Sequence, residues 1–278
     1  MLARIIRGIA PFAALAFAVG TAGCDAKHTI NGDEGKRLSE LDLAGKAPNG
    51  LTLAGPDTVI VTRGEQLAIT VEGDEAARDA VRFTLDGDTL GVMRPGKSSD
   101  RDSRATVRVT LPSLSKLTVA GSGTVQAAEL AGNPEATIAG SGTADIAAVE
   151  ADTLEVTIAG SGTFKAAGTA RNLELMLAGS GRGAMNGLKV ETADVSIAGS
   201  GDATFTSDGT VRAKIMGSGS VNVTGSAKCT VKTMGSGTVT CSAGAAKAEP
   251  APGAPPQPAT PPAPGAPPPP AAPTPPPA

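Results

Sequence analysis

From Leu117 onward, apolar and polar residues alternate in short runs, and each run meets the same small-residue phrase. It reads LTVAGSGTVQ from Leu117 and returns as ATIAGSGTAD, VTIAGSGTFK, LMLAGSGRGA, VSIAGSGDAT, AKIMGSGSVN and VKTMGSGTVT. The first glycines, Gly121, Gly140, Gly160, Gly179, Gly199, Gly217 and Gly235, are spaced 19, 20, 19, 20, 18 and 18 residues apart. A fixed period near 20 residues predicts a solenoid, in which each repeat buries its apolar side only against its neighbours. A flexible linker would not hold a large residue at one place. Here Val119, Ile138, Ile158, Leu177, Ile197 and Ile215 stand two before the glycine, with Thr233 in the last repeat.

The parity within each phrase carries more. Stepping by two from Ile158 gives Gly160, Gly162, Phe164 and Ala166. Alternate residues of a strand share a face, so both glycines take the buried parity and the serine between them points out. That pattern predicts a corner, where the inside has no room for a Cβ and one residue adopts positive φ. The expected fold is all-β: a parallel β-solenoid of about seven GSG-containing coils, with the right-handed crossover as the default hand. Stacking at about 4.8 Å would align Ser122, Ser141, Ser161, Ser180, Ser200, Ser218 and Ser236 in one outward row. Thr124, Thr143, Thr163, Arg182, Asp202, Ser220 and Thr238 would run beside it. Such a row is either a binding stripe or a set of hydroxyls that solvate and satisfy a tight bend.

Upstream, TVIVTR from Thr58, LAITVEG from Leu67, RFTLDGDTLGVMR from Arg82 and ATVRVTLP from Ala105 alternate with period two, as half-buried strands do. Asp86-Gly87 marks a hairpin turn, GDEAARDAV suits a helical turn, and PGKSSDRDSR is a charged loop. This β-rich segment is expected to cap one end of the solenoid, whose strand edges would otherwise stay unpaired. At the other end, Cys229 and Cys241 share the inward parity and could meet across a thin core as a disulfide. A metal pair or free thiols are the alternatives, and two cysteines with no histidine nearby make a poor zinc set.

Composition adds the two termini. Arg4 and Arg7 precede an apolar run from Ile9 to Val19, too short for a comfortable membrane span and suited to an export signal. TAGC then resembles a bacterial lipobox with Cys24 as the lipidated residue, although Thr21 stands where such boxes usually carry leucine. Ordinary cleavage near Ala22 is the alternative. After Glu249 the chain is nearly all Pro and Ala and should be extended polyproline II. The expected division is 1–23 signal peptide, 24–37 lipidated Cys and polar linker, 38–116 β-rich lead, 117–245 solenoid and 246–278 tail. There is no Trp or Tyr, and the net charge is −3, which argues against a nucleic-acid surface.

These features together resemble the bacterial head GIN domain family: the lipobox-like cysteine, the β-rich lead, the LTVAGSGTV-type repeats and the closing C…GSGTVTC. The resemblance covers roughly residues 38–243. It implies export and a β-solenoid body with an adhesin label, and it supplies no catalytic residues.

Catalytic signals are weak. Enzymes on such scaffolds need clustered carboxylates, bases or a metal. In the repeat region Glu129, Asp145, Glu150, Asp152 and Asp202 read as scattered. Calcium-binding β-rolls place an Asp in a nonapeptide, and phosphate loops carry Lys-Ser/Thr before a helix; neither pattern is present. The expected function is therefore a non-enzymatic, exported envelope module, adhesive or structural, without cofactor or metal. Its expected partners are an envelope protein or glycan, with membrane attachment through Cys24. The alternative is a polysaccharide-handling protein on the same scaffold.

Overall fold

The structure, a computed structural model, describes residues 34–95 and 103–242. The signal segment, Cys24 and the proline-rich tail lie outside the described residues.

Strand pairing sorts the chain into two faces. Strands that run into a glycine phrase build a leading face, and strands that leave it build a trailing face. β7 (Lys116–Gly121) and β9 (Glu135–Gly140) are leading strands; β8 (Thr124–Gly132) is a trailing one. The next four strands are long enough to serve both faces: β10 (Thr143–Gly160), β11 (Thr163–Gly179), β12 (Arg182–Gly199) and β13 (Asp202–Gly217). β10 to β12 each begin on the trailing face, cross a short middle segment and finish on the leading face, and the buried positions change parity on both sides of that segment, as from Met185 to Leu188 and from Val190 to Ala193; β13 likewise runs from the trailing to the leading face. Breaks in register mark the first bend, between Ile146 and Val149, Lys165 and Ala167, and Met185 and Lys189, and between β12 and β13 a further break marks the second, between Val190 and Thr192. β14 (Ser220–Thr224), β15 (Lys228–Gly235) and β16 (Thr238–Ser242) finish the stack, β15 on the leading face and β14 and β16 on the trailing face. All these neighbours pair in parallel, and the GSG-bearing part winds as a parallel β-solenoid of about seven turns.

The core is what the alternation dictates. Leu154, Val156 and Ile158 stack under Leu173, Leu175 and Leu177, and those under Ala193, Val195 and Ile197, all buried. Phe83, Phe164 and Phe205 are fully buried and are the largest side chains inside. Thin layers of aliphatic residues suffice because each coil encloses only a narrow interior, to which the middle segments add Val149, Ala170, Leu188 and Val190.

The lead segment does more than cap. β1 (Gly50–Ala54) lies between β7 and β5 (Thr89–Met93), parallel to both. β2 (Thr58–Arg63) lies between β8 and β6 (Thr106–Leu111), again in parallel. Residues 50–63 thus form one further coil of the stack, and β5 with β6 forms the rung beyond it. The chain lays down β1–β2, travels outward, and then jumps back over that coil to start β7. Capping falls to β3 (Ala68–Glu72), antiparallel to β6, and β4 (Arg82–Asp86), antiparallel to β5. Between them sits α1 (Glu75–Ala80), whose N-terminus is closed by Asp74 accepting from the Ala77 N–H at 2.6 Å.

Candidate binding faces

The corner comes first, because it positions everything outside it. The first glycine of every GSG phrase has φ between +113° and +132°, a region that L side chains rarely adopt. Its α-carbon also sits against the coil beneath: a Cβ on Gly179 would lie 2.5 Å from the Gly160 carbonyl oxygen. The second glycine gives way to a side chain instead, since a Cβ on Gly181 would meet Ile158 Cγ2 at 2.5 Å. This explains the large apolar residue two before each glycine: its branch fills the space that the next coil's second glycine leaves.

The backbone closes the corner without help from side chains. Ser141, Ser161, Ser180, Ser200 and Ser218 donate their N–H groups to the first glycine of the preceding coil at 2.9 Å. All seven serines, Ser122, Ser141, Ser161, Ser180, Ser200, Ser218 and Ser236, are exposed. Among the described residues none of their hydroxyls forms a hydrogen bond with the protein. The side chains therefore do not brace the bend. Beside them Thr124, Thr143, Thr163, Arg182, Asp202, Ser220 and Thr238 stand in register on successive trailing strands. Asp202 links two of its neighbours, pairing with Arg182 at 3.6 Å and accepting from Ser220 at 2.6 Å.

One corner escaped the repeat reading. Gly55 follows Leu53-Ala54 in register with Val119-Ala120, and its carbonyl oxygen packs under Gly121. The phrase there is LTLAGPDTV, with Pro56-Asp57 in place of Ser-Gly. Comparing residues 51–59 with 117–125 would have revealed it. Asp57 is fully buried and takes a two-pronged ion pair from Arg94 on the rung beyond, with Nε to Oδ2 at 3.0 Å and Nη2 to Oδ1. Oδ1 also accepts from the Ala105 N–H at 2.9 Å. The pair ties the two rungs that flank the chain's detour.

The leading face carries a second pattern that the sequence reading missed. Glu135, Glu155, Glu174 and Asp194 stand in register on four successive strands, forming one outward column of carboxylates. Lys116 and Arg212 bracket it with ion pairs to Glu135 at 3.4 Å and Asp194 at 3.7 Å. The spacings of 20, 19 and 20 residues were visible, but a register anchored only on glycine passes over them. Partial burial pushes the Glu155 carboxyl above its ordinary value, and the flanking Glu135 and Glu174 charges add to the shift. On the side opposite the GSG corners, Lys189 and two Ser226 hydrogen bonds hold Asp208 down at about 2.

At the far end the charge reverses. Lys214 and Lys232 stand in register, as do Met216 and Met234, and Lys228 begins the last rung. Cys229 and Cys241 form a disulfide across this rung, with Cα atoms 6.6 Å apart.

No group of three or more His, Cys, Asp or Glu among the described residues is placed to hold a metal. A small cavity of about 50 Å3 lies between Val61, Leu111 and Leu114. A shallow concavity of about 610 Å3 follows the bends, over Gly132, Ala151 and Ala170, with Asp152, Arg171 and Lys189 at its sides. Arg171 and Asp152 pair with each other at 3.1 Å, and Lys189 pairs with Asp208 at 2.8 Å. Among the described residues no helix is long and apolar enough to cross a membrane.

This architecture has relatives. The family model described as "Putative auto-transporter adhesin, head GIN domain" matches residues 47–227. The chain belongs to the head GIN domain family. Its match begins just before β1, so the interleaved coil is part of the head GIN domain and not an appendage to it. Among solved structures, a "putative adhesin" from Bacteroides fragilis aligns with a TM-score of 0.61 at 20% identity, covering 70% of this chain and 93% of that one. A "putative adhesin" from Parabacteroides merdae aligns at 0.55 and 21% identity, covering 71% and 92%. A "putative lipid binding protein" from Parabacteroides distasonis aligns at 0.54 and 20% identity, covering 71% and 93%. At these identities the likeness establishes the fold alone. No curated protein matches the chain.

Proposed function

We propose that this head GIN protein is an exported, non-enzymatic envelope module that binds by presenting regular columns of side chains. The observation that carries the reading is the serine row: seven exposed hydroxyls along one corner, none engaged by a protein group among the described residues. A hydroxyl that braced its own bend would be spoken for; these are available to a repeating partner. The rigid parallel stack sets their spacing at about 4.8 Å, which suits an extended glycan or protein strand lying along the axis. The adhesin names carried by the family and by two of the similar structures agree with this reading. Lipidation at Cys24 would hold the module at the envelope, with the tail beyond Glu249 as a spacer.

The test is binding of the full chain to isolated envelope material, native against a Ser161→Trp/Ser180→Trp variant. Both positions are exposed, so folding is expected to survive. The reading predicts lost binding with an unchanged melting temperature; unchanged binding would remove the serine row as the contact. Anchoring is tested by the intact mass of protein from membranes, with Cys24→Ala as control.

A polysaccharide-handling role has one observation in its favour, the in-register column of Glu135, Glu155, Glu174 and Asp194. Glycan turnover that survives Glu155→Gln/Glu174→Gln would dismiss that column as its source.

A further inference from the structure

The leading face is electrically graded. Its middle four rungs carry the carboxylate column, and its last two rungs carry Arg212, Lys214, Lys228 and Lys232. Arg212 is engaged by Asp194. Among the described residues Lys214, Lys228 and Lys232 pair with no carboxylate. The same two rungs hold the two most exposed large apolar side chains among the described residues, Met216 at 60% and Met234 at 72%, and Val231 at 44%; Met176 on β11 is the one other exposed large apolar residue, also at 44%. On the rungs before them the column occupied by Met216 and Met234 is filled by alanine, Ala54, Ala120, Ala139, Ala159, Ala178 and Ala198, and the methionine that begins it at the other end, Met93, is buried. The change from a flat alanine row to two protruding methionines coincides with the change from acid to base.

We propose that these two terminal rungs are a docking tip for an anionic lipid surface. The inference goes beyond the hydroxyl-row reading and uses none of its residues. Three features favour lipid over a shaped partner. The lysines and methionines of the tip line neither of the concavities described above and stand out from the surface. Its free cations are lysines, compact point charges suited to diffuse attraction by head groups, while arginine is the usual choice for forked, directional recognition. Methionine is flexible and apolar and can enter the boundary between head groups and acyl chains, with the lysine stems lying alongside and their ammonium groups at the surface. The carboxylate column next to the tip would be repelled by the same surface. It restricts contact to the last two rungs of the leading face.

The experiment uses the full chain carrying Cys24→Ser, so that no acyl chain contributes. It is sedimented with vesicles of phosphatidylcholine alone and with vesicles containing about one-third phosphatidylglycerol. Expected are binding to the anionic vesicles only and a loss of binding as salt rises. Lys214→Glu/Lys232→Glu should weaken it about tenfold or more. Met216→Ser/Met234→Ser should weaken it several-fold while leaving the salt dependence in place. Lys46→Glu/Lys165→Glu, the same charge change away from the tip, should bind the anionic vesicles like the parent chain. Equal binding to both vesicle types, no binding, or binding unchanged in the Lys214/Lys232 variant would overturn the proposal. So would salt-sensitive self-association without vesicle binding, which would assign the lysines to the carboxylate column of a second copy.

Discussion

The two ends of this solenoid solve one problem in opposite ways. A parallel stack must stop somewhere, and its last rung leaves backbone groups and core side chains uncovered. The N-terminal end is covered by chain. β3 and β4 reverse direction against β6 and β5, and the coil of β1 and β2 is inserted between rungs made later in the sequence. Val59, Leu51, Leu53 and Leu90 there are fully buried. The C-terminal end has no such cover among the described residues. Val231 and Thr233 hold inward parity yet are exposed, and the disulfide from Cys229 to Cys241 spans the rung. One end is built from tertiary pairing and a buried ion pair, the other from a covalent tie. The first should unfold with the whole body; the second should be separable from it.

The sharpest way to break the N-terminal arrangement is Arg94→Met. It leaves Asp57 buried with its carboxylate facing no cation. The expected cost is about 3–5 kcal/mol, read as a lower urea midpoint, with the inserted coil lost from hydrogen-exchange protection. Asp57→Asn/Arg94→Met together should recover much of that loss, because no uncompensated buried charge remains.

Gly179→Ala strikes the middle of the stack, where both ends must depend on it. The new Cβ would lie 2.5 Å from the Gly160 oxygen at a φ of +120°. A cost of about 2–4 kcal/mol is expected. Gly132→Ala is the comparison: φ is +84°, but nothing lies within 4 Å of the added carbon, so the cost should fall to about 1 kcal/mol. Equal losses at the two sites would mean that backbone conformation alone, and not the close approach of coils, selects glycine at the corners.

Much of this was legible in advance because a solenoid repeats its local logic. Spacing and parity near Ile158-Gly160-Gly162 were enough for the coil, the corner and the outward serines. The same parity brought Cys229 and Cys241 together. The inserted coil was not legible, because its placement rests on pairings such as Leu51 with both Leu90 and Leu117, which no local pattern encodes. Its corner was hidden by Pro56 and Asp57, the latter recruited to meet Arg94. The carboxylate column was hidden for another reason. Its period was present, but outward residues carry no packing constraint, so nothing local marks four acids at that spacing as neighbours.

Smaller changes sharpen the comparison. Glu155→Gln should stabilise the body at neutral pH by about 0.5 kcal/mol, since it removes repulsion from Glu135 and Glu174. The sign with pH follows from the raised carboxyl. The folded state holds this proton to a higher pH than the unfolded chain does, so native stability gains as pH falls through the folded value. That gain vanishes in the Gln variant. Asp208 behaves oppositely. Its value near 2 adds stability above the ordinary carboxylate range that is lost as pH falls toward 2. Asp208→Asn should remove that part of the acid sensitivity, as thermal melts across the range would report.

The contrast between the ends is tested most directly by hydrogen exchange on the full chain, oxidised against reduced. The account predicts faster exchange on reduction in residues 228–242, with β1, β2 and the central strands β10 to β12 unchanged. Accelerated exchange throughout the body, or none in the last rung, would contradict the claim that the C-terminal coil is held by its covalent tie while the N-terminal end is held by interleaved chain.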